Sequence, residues 1–142
     1  MKKTAVVYWS GTGNTETMAN LVLEGISAAG GQGSLFPAGD FSAEQAKTVE
    51  AFALGCPSMG TEQLEESEFE PLYEELKPLL SGKPVVLFGS YGWGDGEWMR
   101  NWAEDCESAG ANLVAEPVTA NGAPDTDASE ACKALGQAVA KA

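Results

Sequence analysis

Residues 9–19, "WSGTGNTETMA", have the composition of a loop that binds an anion. The loop contains two glycines, which let the backbone turn sharply and come close to a ligand. Three hydroxyl side chains within residues 10–15 add hydrogen-bond donors, and a helix that begins near Asn14 presents unpaired N–H groups and a positive dipole end. No Lys or Arg is present, so neutral donors alone would hold the anion. The residues concerned are Ser10, Gly11, Thr12, Gly13, Asn14 and Thr15.

The spacing within this loop indicates a terminal monophosphate as the anion. The dinucleotide-binding fingerprint needs a third glycine at the position that Glu16 occupies here. No Gly-Lys-Ser or Gly-Lys-Thr follows, so the loop is not a P-loop either. The alternative interpretation is an ordinary turn between a strand and a helix that happens to contain glycine.

A second loop, "SYGWGDGEW", places Trp93 between Gly92 and Gly94. An aromatic side chain flanked by glycines has no helical neighbours to hold it, so it can serve as a stacking platform for a flat ligand. The alternatives are a surface tryptophan or one at the rim of the core. Trp98 and Trp102 are four residues apart, which puts them on one helix face and predicts core packing for both.

A third loop, "CPSMGTEQLEES", contains Met59 next to Gly60. Methionine is flexible and polarisable and packs well on the face of a ring. Carboxylates are frequent in this loop and in the previous one, and we expect them to form an acidic rim around a shared site. They are Glu62, Glu65, Glu66, Asp95 and Glu97.

Apolar segments alternate with helical patterns along the whole chain. Five strands are predicted at residues 4–8, 32–36, 50–57, 83–91 and 111–118. Helical spacing of apolar residues predicts helices that end near Gly30, Gly82 and Gly110, and a last one near the C-terminus. Ser42 and Gln45 mark the start of a short additional helix.

This alternation predicts an α/β fold, a doubly wound parallel sheet of five strands with helices on both faces. One domain accounts for residues 1–142, without a linker or an internal repeat. In such sheets a ligand binds outside the carboxyl ends of the strands, where the strand order reverses. The three loops described above follow the first, third and fourth strands, so they should meet there.

Composition narrows the range of partners. The chain has 21 acidic and 8 basic residues, no histidine and a formal net charge of −13. This balance opposes binding to nucleic acid or to an anionic membrane and favours a partner with a basic surface. A solvated acidic surface that serves solubility is the alternative. No apolar run is long enough for a membrane span and no signal peptide is apparent.

The three cysteines, Cys56, Cys106 and Cys132, lack any CxxC spacing, which argues against a disulfide framework or a metal site. We interpret them as small buried hydrophobes in a reducing cytoplasm, the location that we expect for the protein.

Four segments together resemble the flavodoxin family, and in particular its short-chain members common in anaerobic bacteria. They are "YWSGTGNTE", "GCPSMG", "LEESEFEP" and "LFGSYGWGDGEWM", and the resemblance covers essentially the whole chain. It implies the flavodoxin-like strand order 2-1-3-4-5 and non-covalently bound FMN as the cofactor. It also implies a monomeric low-potential electron carrier, not an enzyme, with redox partner proteins.

The resemblance assigns roles to individual positions. It implies the ribityl phosphate in the loop Ser10–Thr15, Met59 and Trp93 on opposite faces of the isoalloxazine, and Glu62 as the acceptor of the flavin N3–H. Asn121 is a further candidate contact. The implied binding residues beyond the first loop are Pro57, Ser58, Met59, Gly60, Thr61, Glu62, Ser90, Tyr91, Gly92, Trp93 and Gly94.

Thr61 departs from the family, whose members often carry glycine, a small residue or an acid there. In this family the carbonyl between residues 60 and 61 accepts the N5–H of the reduced flavin. When that carbonyl faces away, a type II turn needs positive φ at Thr61, which a β-branched residue resists. Thr61 is therefore expected to make the first reduction easier. Thr61→Gly should make the first potential more negative and leave the second nearly unchanged. The alternative is that the oxidised turn avoids type II altogether, and then the substitution does little.

Two other functions remain open on this fold. An FMN-dependent reductase would need a substrate pocket and a nicotinamide site, and no catalytic candidate is evident in the sequence. A receiver-type signalling domain would need a phosphorylatable aspartate after the third strand, where Cys56 and Pro57 stand instead.

Overall fold

A computed structural model describes residues 3–59 and 63–142. Its strands are β1 (Lys3–Tyr8), β2 (Gln32–Pro37), β3 (Ala51–Gly55), β4 (Pro84–Tyr91), β5 (Asn112–Leu113) and β6 (Val118–Asn121). Its helices are α1 (Asn14–Ala28), α2 (Ala43–Ala46), α3 (Phe69–Leu76), α4 (Glu97–Ser108) and α5 (Thr126–Lys141). Two 3₁₀ turns lie at Ala38–Asp40 and Lys77–Leu79.

The strands form one sheet in the order β2-β1-β3-β4-β5, and β6 also pairs with β4. Each strand pair runs parallel. The central strands β1, β3 and β4 are almost wholly buried, as their unbroken apolar sequences require in a sheet covered on both faces. The predicted fold class and strand order are therefore confirmed.

The edge of the sheet beyond β4 differs from the prediction of one strand at 111–118. β5 pairs Leu113 with Val85, and β6 pairs Val118 with Phe88. The two pairs are therefore five positions apart on the edge strand but only three positions apart on β4. The two surplus residues break the ladder next to Pro117, which has no N–H to donate. Within residues 3–59 and 63–142 the sheet has six strands, one more than the five predicted, because two strands stand where one was expected.

Two groups of helices cover the two faces of the sheet. Alternate residues of β1 point to opposite faces: Val6 and Tyr8 pack with residues of α1 and α5, while Ala5 and Val7 pack with residues of α3 and α4. The predicted core positions Trp98 and Trp102 are both buried. Within residues 3–59 and 63–142, no helix combines the length and apolarity that crossing a bilayer needs.

The local helix signals are borne out except at the end of α3. Gln45 donates its N–H to the Ser42 hydroxyl at 3.3 Å, the predicted cap of α2. The second long helix, expected to end near Gly82, ends at Leu76 and continues as the 3₁₀ turn Lys77–Leu79. Pro78 lies inside that turn and cannot donate the backbone hydrogen bond that a continued α-helix needs.

Candidate functional site

The loops after β1, β3 and β4 meet at the carboxyl edge of the sheet and enclose a cleft of about 290 Å³, here called the first cleft. Backbone hydrogen bonds join the three loops. Trp9 donates its N–H to the Gly55 carbonyl at 3.0 Å, and Ser58 donates to the Ser90 carbonyl at 3.0 Å. The lining residues are Trp9, Ser10, Gly11, Thr12, Asn14, Thr15, Pro57, Ser58, Met59, Ser90, Tyr91, Gly92 and Gly122.

Ser10 organises the loop after β1. Its Oγ accepts the N–H of Gly13 at 3.1 Å and the N–H of Glu16 at 3.3 Å. Gly13 precedes α1 with a φ of 98°, a left-handed conformation that favours glycine. Among the described residues the amides of Asn14 and Thr15 have no acceptor. The loop therefore offers two free N–H donors, and the Ser10 hydroxyl keeps its hydrogen for a further acceptor.

Thr15 lies at the bottom of the first cleft, where it joins the loop to β4. Its side chain is buried, and its Oγ1 accepts the Ser90 N–H at 3.4 Å. Ser90 in turn donates its hydroxyl to the Gly122 carbonyl at 2.6 Å. Because the Thr15 oxygen acts as an acceptor from the protein, its hydroxyl hydrogen is available to a ligand. Thr12 in the same loop is exposed.

Trp9 forms the wall between the first cleft and a neighbouring one. Its indole N–H donates to Glu68 Oε1 at 3.1 Å, and its ring lies 3.1 Å from the position that a Cβ on Gly11 would take. The neighbouring, second cleft has a volume of about 440 Å³. It is lined by Tyr8, Trp9, Ser10, Gly11, Gly13, Glu16, Pro37, Ala38, Gly39, Asp40 and Glu68.

The second cleft contains a hydrogen bond between Tyr8 and Glu16. Tyr8 is a buried residue, and its hydroxyl donates to Glu16 Oε2 at 2.9 Å. Burial, and after it the bond to Glu16, raises the pKa of Tyr8. The phenol therefore stays protonated at neutral pH and remains a donor. The Glu16 side chain lines the second cleft but not the first.

The loop after β3 contributes Pro57, Ser58 and Met59 to the first cleft. Met59 pairs with Gln63 through two backbone hydrogen bonds of 2.8 and 3.0 Å. The predictions made for Gly60, Thr61 and Glu62 fall between these residues and lie outside the described part of the chain.

Glu65 was expected in the acidic rim, and this expectation is wrong. The side chain is only 5% exposed. Its carboxylate accepts the N–H groups of Ser67, Glu68 and Phe69, each at 2.8 Å, and the hydroxyl of Ser67. Burial raises the pKa of Glu65, but these hydrogen bonds outweigh it and hold the pKa below its usual value. Glu65 therefore caps the start of α3, a role that the charge of the segment did not reveal.

Among the described residues of the predicted rim, Glu66, Asp95 and Glu97 are exposed. Arg100 contacts Asp95 by donating to its carbonyl at 2.9 Å and to its carboxylate at 3.1 Å. Trp93 lies in the same loop as Asp95 and is 61% exposed. The negative charge near the clefts therefore belongs mainly to solvent-facing side chains.

The first cleft brings together most of the predicted site residues. Gly13 lines the second cleft instead, and Trp93, Gly94 and Asn121 line neither. Two residues that line the first cleft, Trp9 and Gly122, were not predicted as site residues. Trp9 follows β1 directly, a position that could have indicated it, whereas Gly122 follows β6, a strand that was not predicted there.

Comparison with known proteins identifies the relatives of this chain. Residues 6–136 match the family model described as flavodoxin. A flavodoxin from Megasphaera elsdenii is 45% identical over 137 residues, which covers 96% of this chain and 98% of that protein. A flavodoxin from Clostridium beijerinckii is 44% identical over 135 residues, which covers 95% of this chain and 97% of that protein.

The fold of a solved relative is also similar. The solution structure of two-electron reduced Megasphaera elsdenii flavodoxin aligns with a TM-score of 0.90 at 45% identity. The alignment covers 98% of this chain and 99% of that one. Loops and strands therefore follow a common path over nearly the whole length of both proteins.

Proposed function

Because the chain belongs to the flavodoxin family, we propose that it is a low-potential electron carrier that binds one FMN in the first cleft. Flavodoxins bind FMN and carry electrons without being enzymes, so the alternative of an FMN-dependent reductase is not favoured. The observation that carries the proposal is the neutral loop after β1, whose free donors line the same cleft as Met59 and Tyr91.

The donors of this loop fit the phosphate of FMN. The amides of Asn14 and Thr15, together with the hydroxyls of Ser10, Thr12 and Thr15, would surround a phosphate at the start of α1. Each hydrogen bond to a charged group contributes about 1.5–3 kcal/mol. Several such bonds hold a phosphate without a cation, and the dipole of α1 adds to them.

The remaining walls of the first cleft fit the flat ring of the flavin. Met59 and Tyr91 supply polarisable and aromatic surface, and Tyr91 is supported by Trp98 at a ring distance of 5.6 Å. Trp93, exposed in the loop after β4, would cover the opposite face of the ring. The proposed FMN-binding residues are Ser10, Gly11, Thr12, Gly13, Asn14, Thr15, Pro57, Ser58, Met59, Gly60, Thr61, Glu62, Ser90, Tyr91, Gly92, Trp93 and Gly94.

When bound, FMN supplies the redox chemistry, and the protein tunes how easily negative charge accumulates in the cleft. The chain has 21 acids against 8 bases, and the loop that would hold the phosphate has no cation. One unit charge about 10 Å away, at an effective dielectric constant of about 40, opposes a further negative charge by roughly 0.8 kcal/mol. Several such charges favour a low potential, which suits an electron donor.

The same charge supports a proposal about partners. Redox partner proteins follow from the function of the family, and we propose that they dock through basic surfaces onto the exposed acids Glu66, Asp95 and Glu97. The chain would act in the cytoplasm as a monomeric single domain of residues 1–142. The absence of any CxxC pair and the burial of all three cysteines support a reducing location.

A spectrum and a redox titration of the purified protein test the proposed function. We expect a yellow protein with one FMN per chain that takes up electrons in two separate steps, the second at low potential. A full-length, folded protein that remains colourless and binds no FMN in a titration would contradict the proposal.

A further inference from the structure

Glu16 is an acid in a loop that otherwise contains only neutral donors, directly after Thr15 in the first turn of α1. Its backbone N–H donates to the Ser10 hydroxyl, but its carboxylate points away from the first cleft. In the second cleft the carboxylate accepts the Tyr8 hydroxyl at 2.9 Å. Asp40 and Glu68 also line that cleft, so the surroundings of the carboxylate there are acidic, and Tyr8 is the donor that holds it.

A carboxylate at this position has an alternative place to bind. Glu16 is the third helical residue after the cap residue Gly13, a position from which a glutamate side chain can turn back toward the start of the helix. The Gly13 amide already donates to Ser10. The amides of Asn14 and Thr15 have no acceptor among the described residues, and they carry the positive end of the helix dipole. Without Tyr8, a Glu16 side chain that turned back along the helix would meet these two amides, which the phosphate needs.

We infer that Tyr8 is a positioning residue that keeps the Glu16 carboxylate out of the phosphate-binding loop. This inference rests on the proposed binding of FMN. Tyr8 is suited to the role because it is only 6% exposed and lies in β1, a central strand, so its hydroxyl has a fixed position. It lines the second cleft and not the first, so its effect on the phosphate passes through Glu16.

The test compares FMN with riboflavin, which has the same ring but no phosphate. Both are titrated into the flavin-free full chain, and binding is followed by quenching of flavin fluorescence. In Tyr8→Phe, the released Glu16 carboxylate would compete with and repel the phosphate. FMN affinity should fall by about threefold to tenfold, whereas riboflavin affinity should equal that of the wild type.

A second variant identifies Glu16 as the cause. Glu16→Gln removes the charge, so the double variant Tyr8→Phe/Glu16→Gln should bind FMN as tightly as Glu16→Gln alone. Tyr73→Phe is the matched control, because Tyr73 is also buried and donates its hydroxyl to a carboxylate, Asp105, at 2.8 Å. It lies outside both clefts and should change neither affinity.

Three results would overturn the inference while FMN binding by the wild type remains intact. They are unchanged FMN affinity in Tyr8→Phe, an equal loss for FMN and riboflavin, and a loss that persists undiminished in the double variant. A wild-type chain that binds no FMN would instead overturn the proposed function itself.

Discussion

The loops after β1 and after β4 use the same backbone device for different purposes. Each ends in a glycine with a left-handed conformation directly before a helix, with φ of 98° at Gly13 and 90° at Gly96. Each helix then has an acid in its first turn, Glu16 or Glu97. From glycine spacing and charge alone, the two loops look alike.

The side chains around these glycines make the difference. In the first loop Ser10 accepts two backbone amides, and the second cleft holds the carboxylate of Glu16. In the loop after β4, by contrast, the side chains near Gly96 are exposed, and Asp95 forms an ion pair with Arg100. The fixed donors of the loop after β1 are suited to binding a phosphate. The exposed loop after β4 is suited to covering a flat ring and to contacting a partner protein. In both loops glycine permits the turn, and the neighbouring side chains determine its function.

The largest effect on binding is expected from the hydroxyls of the first loop. Thr12→Ala and Thr15→Ala should each weaken FMN binding by about 1–3 kcal/mol, the usual loss for one hydrogen bond to a charged group. Fluorescence titration measures this loss. Thr48→Ala is the control, because that exposed threonine donates to the Gln45 carbonyl outside both clefts. Wild-type affinity in both loop variants would place the phosphate elsewhere.

Glu65 extends the comparison to the loop after β3, where a buried side chain fixes a helix start as Ser10 does. Glu65→Gln replaces a carboxylate, which only accepts hydrogen bonds, with an amide that has one acceptor oxygen and one donor NH2 group. Because three N–H groups face this side chain, the NH2 group would leave part of them without an acceptor. The free energy of unfolding at pH 7 should therefore fall by about 1–3 kcal/mol. Denaturant unfolding measures the change. Glu70→Gln, an exposed acid in the first turn of α3, should have little effect.

The loss in Glu65→Gln should depend on pH in a defined direction. The folded-state pKa of Glu65 is below its usual value, so the carboxylate stabilises the protein above an unfolded pKa of about 4.3. This stabilisation disappears as the pH falls through the lower folded-state pKa. The difference in the free energy of unfolding between wild type and variant should therefore be constant from pH 6 to 8 and shrink in acid. The titration of a carboxyl group extends over about one pH unit on either side of its pKa. A difference that grows in acid would contradict the capping role.

The two glycines before α1 and α4 give a matched pair with a smaller effect. Gly13→Ala and Gly96→Ala should each destabilise the fold by about 1–2 kcal/mol, because alanine is strained in the left-handed conformation. Only Gly13→Ala should also weaken FMN binding, since it moves the amides of the first loop. Thermal unfolding together with FMN titration separates the two properties, and equal losses of affinity would remove the distinction between the loops.

The smallest effect is expected at the exposed acids. Glu66→Lys and Asp95→Lys should slow electron transfer to a basic acceptor such as a cytochrome c by several-fold at low ionic strength, and salt should narrow the difference. Stopped-flow measurements over a range of salt concentrations provide the test. Glu24→Lys, near the far end of α1, is the control. If the wild-type rate does not depend on salt, electrostatic docking is excluded.

The sequence was sufficient for the features that depend on local pattern. The apolar runs of β1, β3 and β4 indicated a sheet covered on both faces, and the glycines and hydroxyls of residues 10–15 indicated a loop at its edge. The resemblance of four segments to flavodoxins supplied the strand order and the cofactor. Each of these signals lies within a short stretch of chain.

Most of the omissions arise from tertiary contacts, but the error at Glu65 does not. The three N–H groups that its carboxylate accepts belong to Ser67, Glu68 and Phe69, so this cap is a local signal that was hidden among several acids. Trp9 is held over Gly11 by Glu68, 59 residues further along the chain. The break between β5 and β6 depends on the register of both with β4. No local pattern encodes contacts between such distant segments.

The affinities of the wild-type chain for FMN and for riboflavin show whether the neutral loop binds the phosphate of one FMN. Two or more hydrogen bonds to the phosphate should make FMN bind at least about 100-fold more tightly than riboflavin. The stoichiometry should be one FMN per chain. Equal affinities for the two flavins would contradict the assignment of the phosphate to residues 10–15.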